Sequence, residues 1–276
     1  DSVTGEWKIN TSPSVTYGNN GFFILKDGNS VTDQSGEGND FTVGGGTLTK
    51  TEDNPSNVFA TFNPLATSSY ITLSEGNTKS FGNTSADNSA TYGTLAPKSG
   101  KYYVETKIGT VVSGYPRVGI TQINNGGFGR LLNGNESIPG YYLYEASYKT
   151  DGQKYTNNVS SAFGDTYGAG DIISLAIDCD NGACYAAKNG VWQNSGDPTS
   201  GASKTGALIT WTPSDSEGVT PASAEYNNSF TQFNFGNGYF GTTAVSSAGT
   251  NASGNGIFEY DVPTGFTALS TKGLNL

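Results

Sequence analysis

Closely spaced turn residues constrain the fold of this 276-residue chain more than any other feature. Gly, Asn, Asp and Pro recur so often that few windows of about eleven residues keep apolar side chains at the i, i+3, i+4 and i+7 positions of an amphipathic helix. Between the turns, apolar and polar residues alternate over short runs, which is typical of β-strands. The pattern predicts an all-β protein with antiparallel strands, because it offers no helices to serve as parallel crossovers.

The clearest strand patterns give six predicted strands, at residues 101–112, 117–122, 141–148, 171–179, 207–211 and 229–236. Alternation in the first of them predicts a half-buried strand, and a lone strand carboxylate such as Glu105 or Glu145 is expected to be solvated surface. Many short strands between turns predict an antiparallel β-sandwich of the jelly-roll type. Residues 1–53 are Gly-rich and acidic after a short apolar patch, so we expect an N-terminal arm or small β subdomain before a sandwich at 54–276.

Charge and hydropathy exclude several partners. The net charge is −10 and the 14 Lys and Arg residues are scattered, so nucleic acid is not an expected partner. No apolar run approaches the roughly 18 residues that span a bilayer, and the first residues carry no signal-peptide pattern, so we expect no membrane insertion. The chain contains no Met, and we expect a processed product or a fragment.

Histidine is absent, which removes most familiar catalytic designs. No Ser-His-Asp or Cys-His arrangement can be built, and no imidazole is present to bind zinc or copper. The sequence also has no G-x-S-x-G elbow and no phosphate-binding loop. We therefore expect a protein that is not an enzyme and has no cofactor.

The stretch DCDNGACYAAKNGVWQ (178–193) contains the only two cysteines. A two-residue turn at Asn181-Gly182 would place Cys179 opposite Cys184, close enough for a disulfide. The alternative, slightly favoured, is two reduced cysteines that pack as small apolar residues. A second Asn-Gly turn at 189–190 would complete a three-stranded meander. The acidic residues do not match the spacing of a calcium loop, so no metal site is expected.

The stretch FNFGNGYFG (233–241) matches the G-x-G-x-x-G pattern through Gly236, Gly238 and Gly241. Dinucleotide binding requires a helix N-terminus behind those glycines, and the following residues TTAVSSAGTNASGNG cannot form one. These residues are interpreted as turn glycines at the end of a strand.

Three segments together resemble the SPRY domain, in the divergent form found in bacteriophage and marine viral structural proteins. They are SGKYYVETKI (99–108), YGAGDIISLAIDCDNGACYAAKNGVWQNSGDPTSGA (167–202), and the closing segment from FNFGNGYF through GIFEYDVPTGFTALSTKGLN (233–275). The resemblance spans about residues 54 to 275. It implies a concanavalin-like sandwich that binds a partner through loops, and it places Cys179 and Cys184 where the family has paired apolar residues.

The leading functional hypothesis follows from that resemblance and the missing catalytic groups. It is a non-enzymatic virion protein, either a tail- or head-fibre attachment module or a capsid-decorating protein, located on the particle surface. Its expected partners are a host-surface glycan or protein, or other virion proteins. By resemblance to fibre proteins, we expect a homotrimer.

Two alternatives remain open at the level of sequence. The first is a lectin-like module of a bacterial surface protein, whose candidate ligand-binding residues are Tyr115, Phe128, Arg130, Tyr141 and Trp211. For each of these residues, packing in the core or anchoring of a loop is the favoured reading. The second, less favoured, is a sandwich-fold glycosidase that brings together two loop carboxylates such as Asp151 and Asp165.

Overall fold

The computed structural model describes residues 14–25, 30–46, 53–54, 57–83, 89–124, 127–128, 146–156, 159–216 and 218–275. The chain forms two compact units, Asp1–Asn57 and Val58–Leu276. The boundary lies between 57 and 58, whereas the sequence predicted one between 53 and 54. No helix in these ranges has the length and apolar character needed to cross a membrane.

Short strands dominate the second unit. In chain order they are β1 (Phe62–Thr67), β2 (Ile71–Ser74), β3 (Lys79–Gly82), β4 (Ser89–Gly93), β5 (Lys101–Ile108), β6 (Arg117–Asn124), β7 (Gly127–Phe128), β8 (Ala146–Tyr148), β9 (Gln153–Thr156), β10 (Val159–Ala162), β11 (Ile172–Asp178), β12 (Ala183–Lys188), β13 (Val191–Trp192), β14 (Ile209–Thr210), β15 (Val219–Glu225), β16 (Phe230–Asn234), β17 (Tyr239–Phe240), β18 (Thr243–Ala244) and β19 (Thr267–Ala268). Single turns of 3₁₀ helix lie at Gln193–Ser195, Gly201–Ser203, Pro213–Asp215 and Gly273–Asn275. All six predicted strands contain an observed strand, although residues 141–145 of the third lie outside the described ranges.

The strands form two large sheets and one small pair. The first sheet has the order β1-β4-β15-β6-β8-β9-β10, with β7 beside β6. The second sheet has the order β13-β12-β11-β5-β16-β3-β2, with β14 beside β12 and β19 beside β5. Strands β17 and β18 pair with each other. Every pairing of named strands is antiparallel except that of β19 with β5, which is parallel.

The core lies between the two sheets. The first sheet contributes Val118, Ile120, Tyr148 and Val219, and the second contributes Val104, Ile173, Leu175, Ile177 and Phe233. Alternate side chains of each strand point towards the facing sheet, which is how two stacked sheets bury a common apolar layer. The fold is therefore an antiparallel β-sandwich, as the sequence predicted.

Strand β15, which contains Pro221, was not among the six predicted strands. Proline has no backbone N–H to donate to a neighbouring strand, so it usually argues against a central strand position. Here β15 pairs with β4 on one side and with β6 on the other, and all seven of its residues are buried. The burial of the whole strand between two neighbours outweighs the one backbone donor that Pro221 cannot supply.

The outer face of the second sheet is covered by the segment that contains Phe258–Tyr260. The Phe258 ring packs edge-on against the Tyr103 ring, with centroids 4.9 Å apart. The Glu105 carboxylate accepts hydrogen bonds from the backbone N–H groups of Glu259 and Tyr260, each at 2.8 Å, and from the Tyr103 hydroxyl at 3.0 Å. The predictions of a half-buried strand and a solvated Glu105 are therefore wrong, since this cover buries Glu105 completely.

A second buried carboxylate, Glu225, connects strands of the two sheets. It lies at the end of β15, and its oxygens accept hydrogen bonds from the hydroxyls of Ser223 (2.8 Å), Thr231 (2.8 Å) and Ser229 (3.0 Å). Thr231 belongs to β16 of the opposite sheet. Glu225 thus holds together the corner at which the chain passes from one sheet to the other.

The first unit is organised by Asp33. Its carboxylate accepts the backbone N–H groups of Phe23, Ser35 and Asn39 at 2.8 to 2.9 Å. Desolvation raises the pKa of this carboxyl, but these hydrogen bonds outweigh it and hold the pKa well below its ordinary value. The described residues of this unit contain no strand, apart from a single bridge between Asn54 and Asn57.

Candidate functional site

The tip of the β11–β12 hairpin forms one wall of the candidate site, and its register differs from the predicted one. Asp178 pairs with Ala183 and Ile177 pairs with Cys184, so the loop contains four residues, 179–182, rather than two. The predicted pairing of Cys179 with Cys184 is therefore wrong.

The longer loop follows from the side chain of Asp178. Its carboxylate accepts the backbone N–H of Asn181 at 2.9 Å and the Asn181 side-chain amide at 2.9 Å. Gly182, with φ of 72°, then donates its N–H to the Asp178 carbonyl at 2.8 Å. Asp is well suited to such a turn because its short side chain bonds to the backbone a few residues further on. This local capping outweighs the two-residue turn that Asn-Gly alone would favour.

The second Asn-Gly turn is confirmed. Asn189 and Gly190 have φ of 48° and 79°, and Lys188 pairs with Val191 as predicted. Positive φ at both central positions is the requirement of a type I′ turn. The meander β11-β12-β13 is therefore present in the second sheet.

Both cysteines are free thiols in this structure, and both are buried. They belong to the main apolar core, with exposed fractions of 1% for Cys179 and 0% for Cys184. Burial raises the pKa of the Cys179 thiol to about 12 and that of the Cys184 thiol further still. Thiols that stay protonated and buried are poor nucleophiles, so this pair does not provide a reactive site.

A cleft of about 370 Å³ lies at the end of the sandwich where β5 begins and β11 ends. Its lining residues come from five separate segments of the second unit: Gly100, Lys101, Asp180, Ala252, Ser253, Gly265, Phe266, Thr267 and Gly273. Glycine and alanine leave the space open, Lys101 and Asp180 supply charges, Ser253 and Thr267 supply hydroxyls, and Phe266 supplies apolar surface. We call this feature the hairpin-tip cleft.

The charged wall of the hairpin-tip cleft is held in place by hydrogen bonds. The Asp180 carboxylate is exposed, and it accepts the backbone N–H of Gly100 at 2.7 Å. The Lys101 ammonium lies 3.1 Å from the fully buried carboxylate of Asp178 and 5.8 Å from the centroid of the Phe266 ring. The ammonium of this wall is thus paired with a buried carboxylate, and the wall has no excess of positive charge.

The opposite side of the cleft is fixed by Asn255, which is almost fully buried. Its side-chain amide donates to the Thr267 hydroxyl at 2.9 Å and to the Ser270 hydroxyl at 3.1 Å. The Ser253 hydroxyl accepts the Asn255 N–H at 3.2 Å. The hydroxyls that line the cleft are therefore part of a connected network and have fixed positions.

The groups that line the cleft can bind a ligand. Charged and hydroxyl groups can exchange hydrogen bonds with a polar ligand. Among the residues that the structure describes, no group of three or more His, Cys, Asp or Glu is placed to hold a metal ion.

The structure buries the two predicted ligand-binding aromatics that it describes. Trp211 is 7% exposed and belongs to the main core. Tyr115 is 4% exposed, stacks on Tyr226 with centroids 5.5 Å apart, and belongs to a separate apolar cluster. Both rings are packed against other side chains in this structure.

The structure describes less about the other predicted site residues. Phe128 lies in β7, but its side chain is not described, and Arg130 and Tyr141 lie outside the described residues. Asp151 is ion-paired with Lys149 at 2.9 Å. Desolvation raises the pKa of the Asp151 carboxyl, but its hydrogen bonds, led by that from Lys149, have the larger effect and hold the pKa below its ordinary value. An ionised, paired Asp151 is unsuited to the proton-donating role of a glycosidase acid, which needs a raised pKa.

The Gly-rich stretch behaves as predicted from sequence. Gly236, Gly238 and Gly241 all have positive φ, and the short strands β17 and β18 follow rather than a helix. The Asn234 side-chain oxygen accepts the N–H groups of Gly236 at 2.9 Å and Gly238 at 3.1 Å. These glycines form turns around a buried asparagine.

Comparisons with known proteins return structural likeness only. No protein-family model matches the chain, and no curated protein matches it. Among solved structures, it is similar to a stonustoxin structure, with 18% identity, a TM-score of 0.44, and coverage of 63% of this chain and 27% of that one. It is also similar to the SPRY domain of human HERC1, with 13% identity, a TM-score of 0.43, and coverage of 62% and 96%. The fold assignment rests on the strand order and sheet packing of this chain itself.

Proposed function

We propose that this chain is a non-enzymatic recognition module with a SPRY-type sandwich, carried on a virion and used to bind a host-surface molecule or another virion component. The observation that carries the proposal is the hairpin-tip cleft, a site lined by charged, hydroxyl and apolar groups from five segments at one end of the sandwich. Binding sites are commonly placed on loops that a stable scaffold positions.

One feature of the sequence supports the virion setting, and a second supports a role without catalysis. The three segments quoted above resemble the SPRY form of bacteriophage and marine viral structural proteins in their order and spacing. The chain also lacks histidine, which limits acid–base chemistry near neutral pH. Attachment requires neither a nucleophile nor a proton donor.

Binding to whole cells tests the proposal. Fluorescently labelled protein is incubated with a panel of bacterial strains and with purified phage particles, and bound protein is measured by flow cytometry and by co-sedimentation. We expect saturable binding to a subset of strains or particles, with no low-molecular-weight product released into the medium. Release of sugar or peptide fragments would show an enzyme, and absence of binding to every cell and particle would contradict the proposal.

A further inference from the structure

The hairpin-tip cleft also indicates what kind of molecule it accepts. We infer that the cleft binds an uncharged, hydroxyl-rich ligand, namely a neutral saccharide. This inference rests on the proposed function, because it names the ligand class of the same recognition module.

The unused hydrogen-bonding capacity of the charged wall is the first argument. An ammonium has three donors, and among the described residues only the Asp178 carboxylate contacts that of Lys101. The Asp180 carboxylate can accept several hydrogen bonds, and the described part of the chain supplies it with one, from Gly100. A donor and an acceptor therefore line the same cleft, which suits hydroxyl groups, because a hydroxyl can both donate to a carboxylate and accept from an ammonium.

The charge balance of the cleft disfavours ionic ligands. An anion would meet the exposed carboxylate of Asp180, and the ammonium of Lys101 in the same lining is already paired with the buried carboxylate of Asp178. A cation would meet the Lys101 ammonium in the same wall. Like charges within a few ångströms cost free energy, particularly where water is partly excluded. A neutral ligand avoids both costs.

The lining of the cleft combines apolar surface with charged and hydroxyl groups, which suits the carbon faces and the hydroxyls of a sugar ring. Phe266 is only 1% exposed, so it contributes an edge to the floor rather than a face for stacking. Thr267 and Ser253 are fixed by Asn255 and present hydroxyls in defined positions. A preformed site of this kind avoids much of the entropy cost of ordering its own side chains on binding.

The test combines a glycan array with three variants of the full chain. The array carries neutral, sialylated and amino-sugar glycans, together with bacterial surface polysaccharides. Ala252→Trp fills the cleft from its exposed rim. Asp180→Asn keeps an oxygen for the Gly100 N–H but removes the carboxylate. Ala162→Trp is the matched control, because Ala162 is also exposed but lies on the edge strand β10.

We expect the unaltered chain and Ala162→Trp to bind the same neutral glycans. Ala252→Trp should abolish that binding, and Asp180→Asn should weaken it roughly tenfold or more, the usual effect of losing a charge-assisted hydrogen bond. Circular dichroism of each variant verifies that the sandwich is intact.

Three results would overturn the inference while leaving the proposed function in place. One is preferential binding of sialylated or amino-sugar glycans, and another is glycan binding that Ala252→Trp does not change. The third is binding to cells or particles with no glycan bound on the array. If the chain binds neither glycans, cells nor particles, the proposed function itself fails.

Discussion

At the scale of single residues, two fully buried glutamates differ in their hydrogen-bond donors. Glu105 accepts two backbone N–H groups, whereas Glu225 is surrounded by hydroxyls, which can donate or accept. Burial raises the pKa of the Glu105 carboxyl to about 7, although the N–H groups of Glu259 and Tyr260 lower it. Burial raises the pKa of the Glu225 carboxyl to about 8, although the hydroxyls of Thr231, Ser223 and Ser229 lower it. Each carboxyl thus binds its proton more tightly in the folded chain than in the unfolded one.

The raised pKa values of these two carboxyls predict that the free energy of unfolding falls as the pH rises. A carboxyl with a raised folded pKa contributes its full stabilisation below the unfolded pKa and loses it as the pH passes through the folded pKa. For Glu225 the loss should extend over roughly pH 5 to 8, at up to about 1.4 kcal/mol per pH unit. In Glu225→Gln this component should be absent, so urea denaturation at several pH values should show the variant gaining stability relative to wild type as the pH rises. Parallel pH profiles for the two proteins would show that Glu225 is not the linked group.

Glu105→Gln should destabilise the cover over the second sheet. An amide presents one acceptor oxygen in place of two, so one of the N–H groups of Glu259 and Tyr260 loses its partner, at a cost of about 1 to 3 kcal/mol. Hydrogen exchange of these two amides should accelerate, and the urea midpoint should fall. Glu37→Gln, at an exposed position, is the matched control and should change neither measurement. Unchanged exchange at 259–260 would mean that Glu105 does not hold this segment.

The buried thiols give a third prediction. Because the pKa of each thiol is raised and both side chains are inaccessible, neither Cys179 nor Cys184 should react with iodoacetamide in the native protein within hours. In denaturant without reductant both should react, adding two carbamidomethyl groups by mass spectrometry. Alkylation that requires a reductant would show that the two sulfurs are joined.

At the scale of elements, the type I′ turn at 189–190 is held by the segment that contains Tyr260 as well as by its own conformation. A Cβ on Gly190 would lie 2.7 Å from the Tyr260 ring. Tyr260 is also one of the two residues whose N–H binds Glu105. The turn, the loop and the buried carboxylate are therefore packed as one structure.

Two glycine substitutions separate these effects. Gly190→Ala and Gly170→Ala both place a side chain at positive φ, 79° and 90°, but a Cβ on Gly170 has no atom within 4 Å. Both should lose about 1 to 2 kcal/mol from backbone strain. Gly190→Ala should lose more, because the Tyr260 ring must move, and the excess measures that contact in chemical denaturation. Equal losses would show that the ring moves at no cost.

The sequence predicted those elements whose signal is local. Alternating side chains identified β6 and β11, and Asn189-Gly190 was placed correctly because its turn depends only on its own two residues. Strand β15 was not predicted. Its Pro221 is unusual in a central strand, and the strand forms here because it is buried between β4 and β6. The burial of Glu105 and the hairpin-tip cleft were both missed for a different reason. Each depends on segments beyond residue 250 meeting β5, and a pattern of neighbouring residues carries no information about that contact.

At the scale of the whole molecule, the two compact units differ in how much core they hold. Among the residues that the structure describes, both apolar clusters contain only residues from Phe59 onward. A chain of 58–276 should therefore unfold cooperatively on its own, with near-ultraviolet circular dichroism that retains the signals of packed aromatic rings. A broad, non-cooperative transition would show that residues 1–57 are needed to complete the fold.

The expected trimer remains a prediction, and light scattering on the full chain measures it.

The pairing of β19 with β5 has a consequence for the speed of folding. Ala268 lies beside Tyr103, Val58 donates its N–H to the Thr271 hydroxyl 213 residues away, and the Glu105 bonds to the 259–260 backbone close a loop of more than 150 residues. Such distant contacts must be formed at an entropic cost before they stabilise the chain, so folding of this domain should be slow, in the range of milliseconds to seconds or longer. Until β19 docks, the start of β5 at Tyr102 and Tyr103 lacks on one side the partner that β16 supplies further along the strand, and these backbone groups are open to other chains. Yields of soluble protein should accordingly improve when synthesis is slowed and concentrations are kept low.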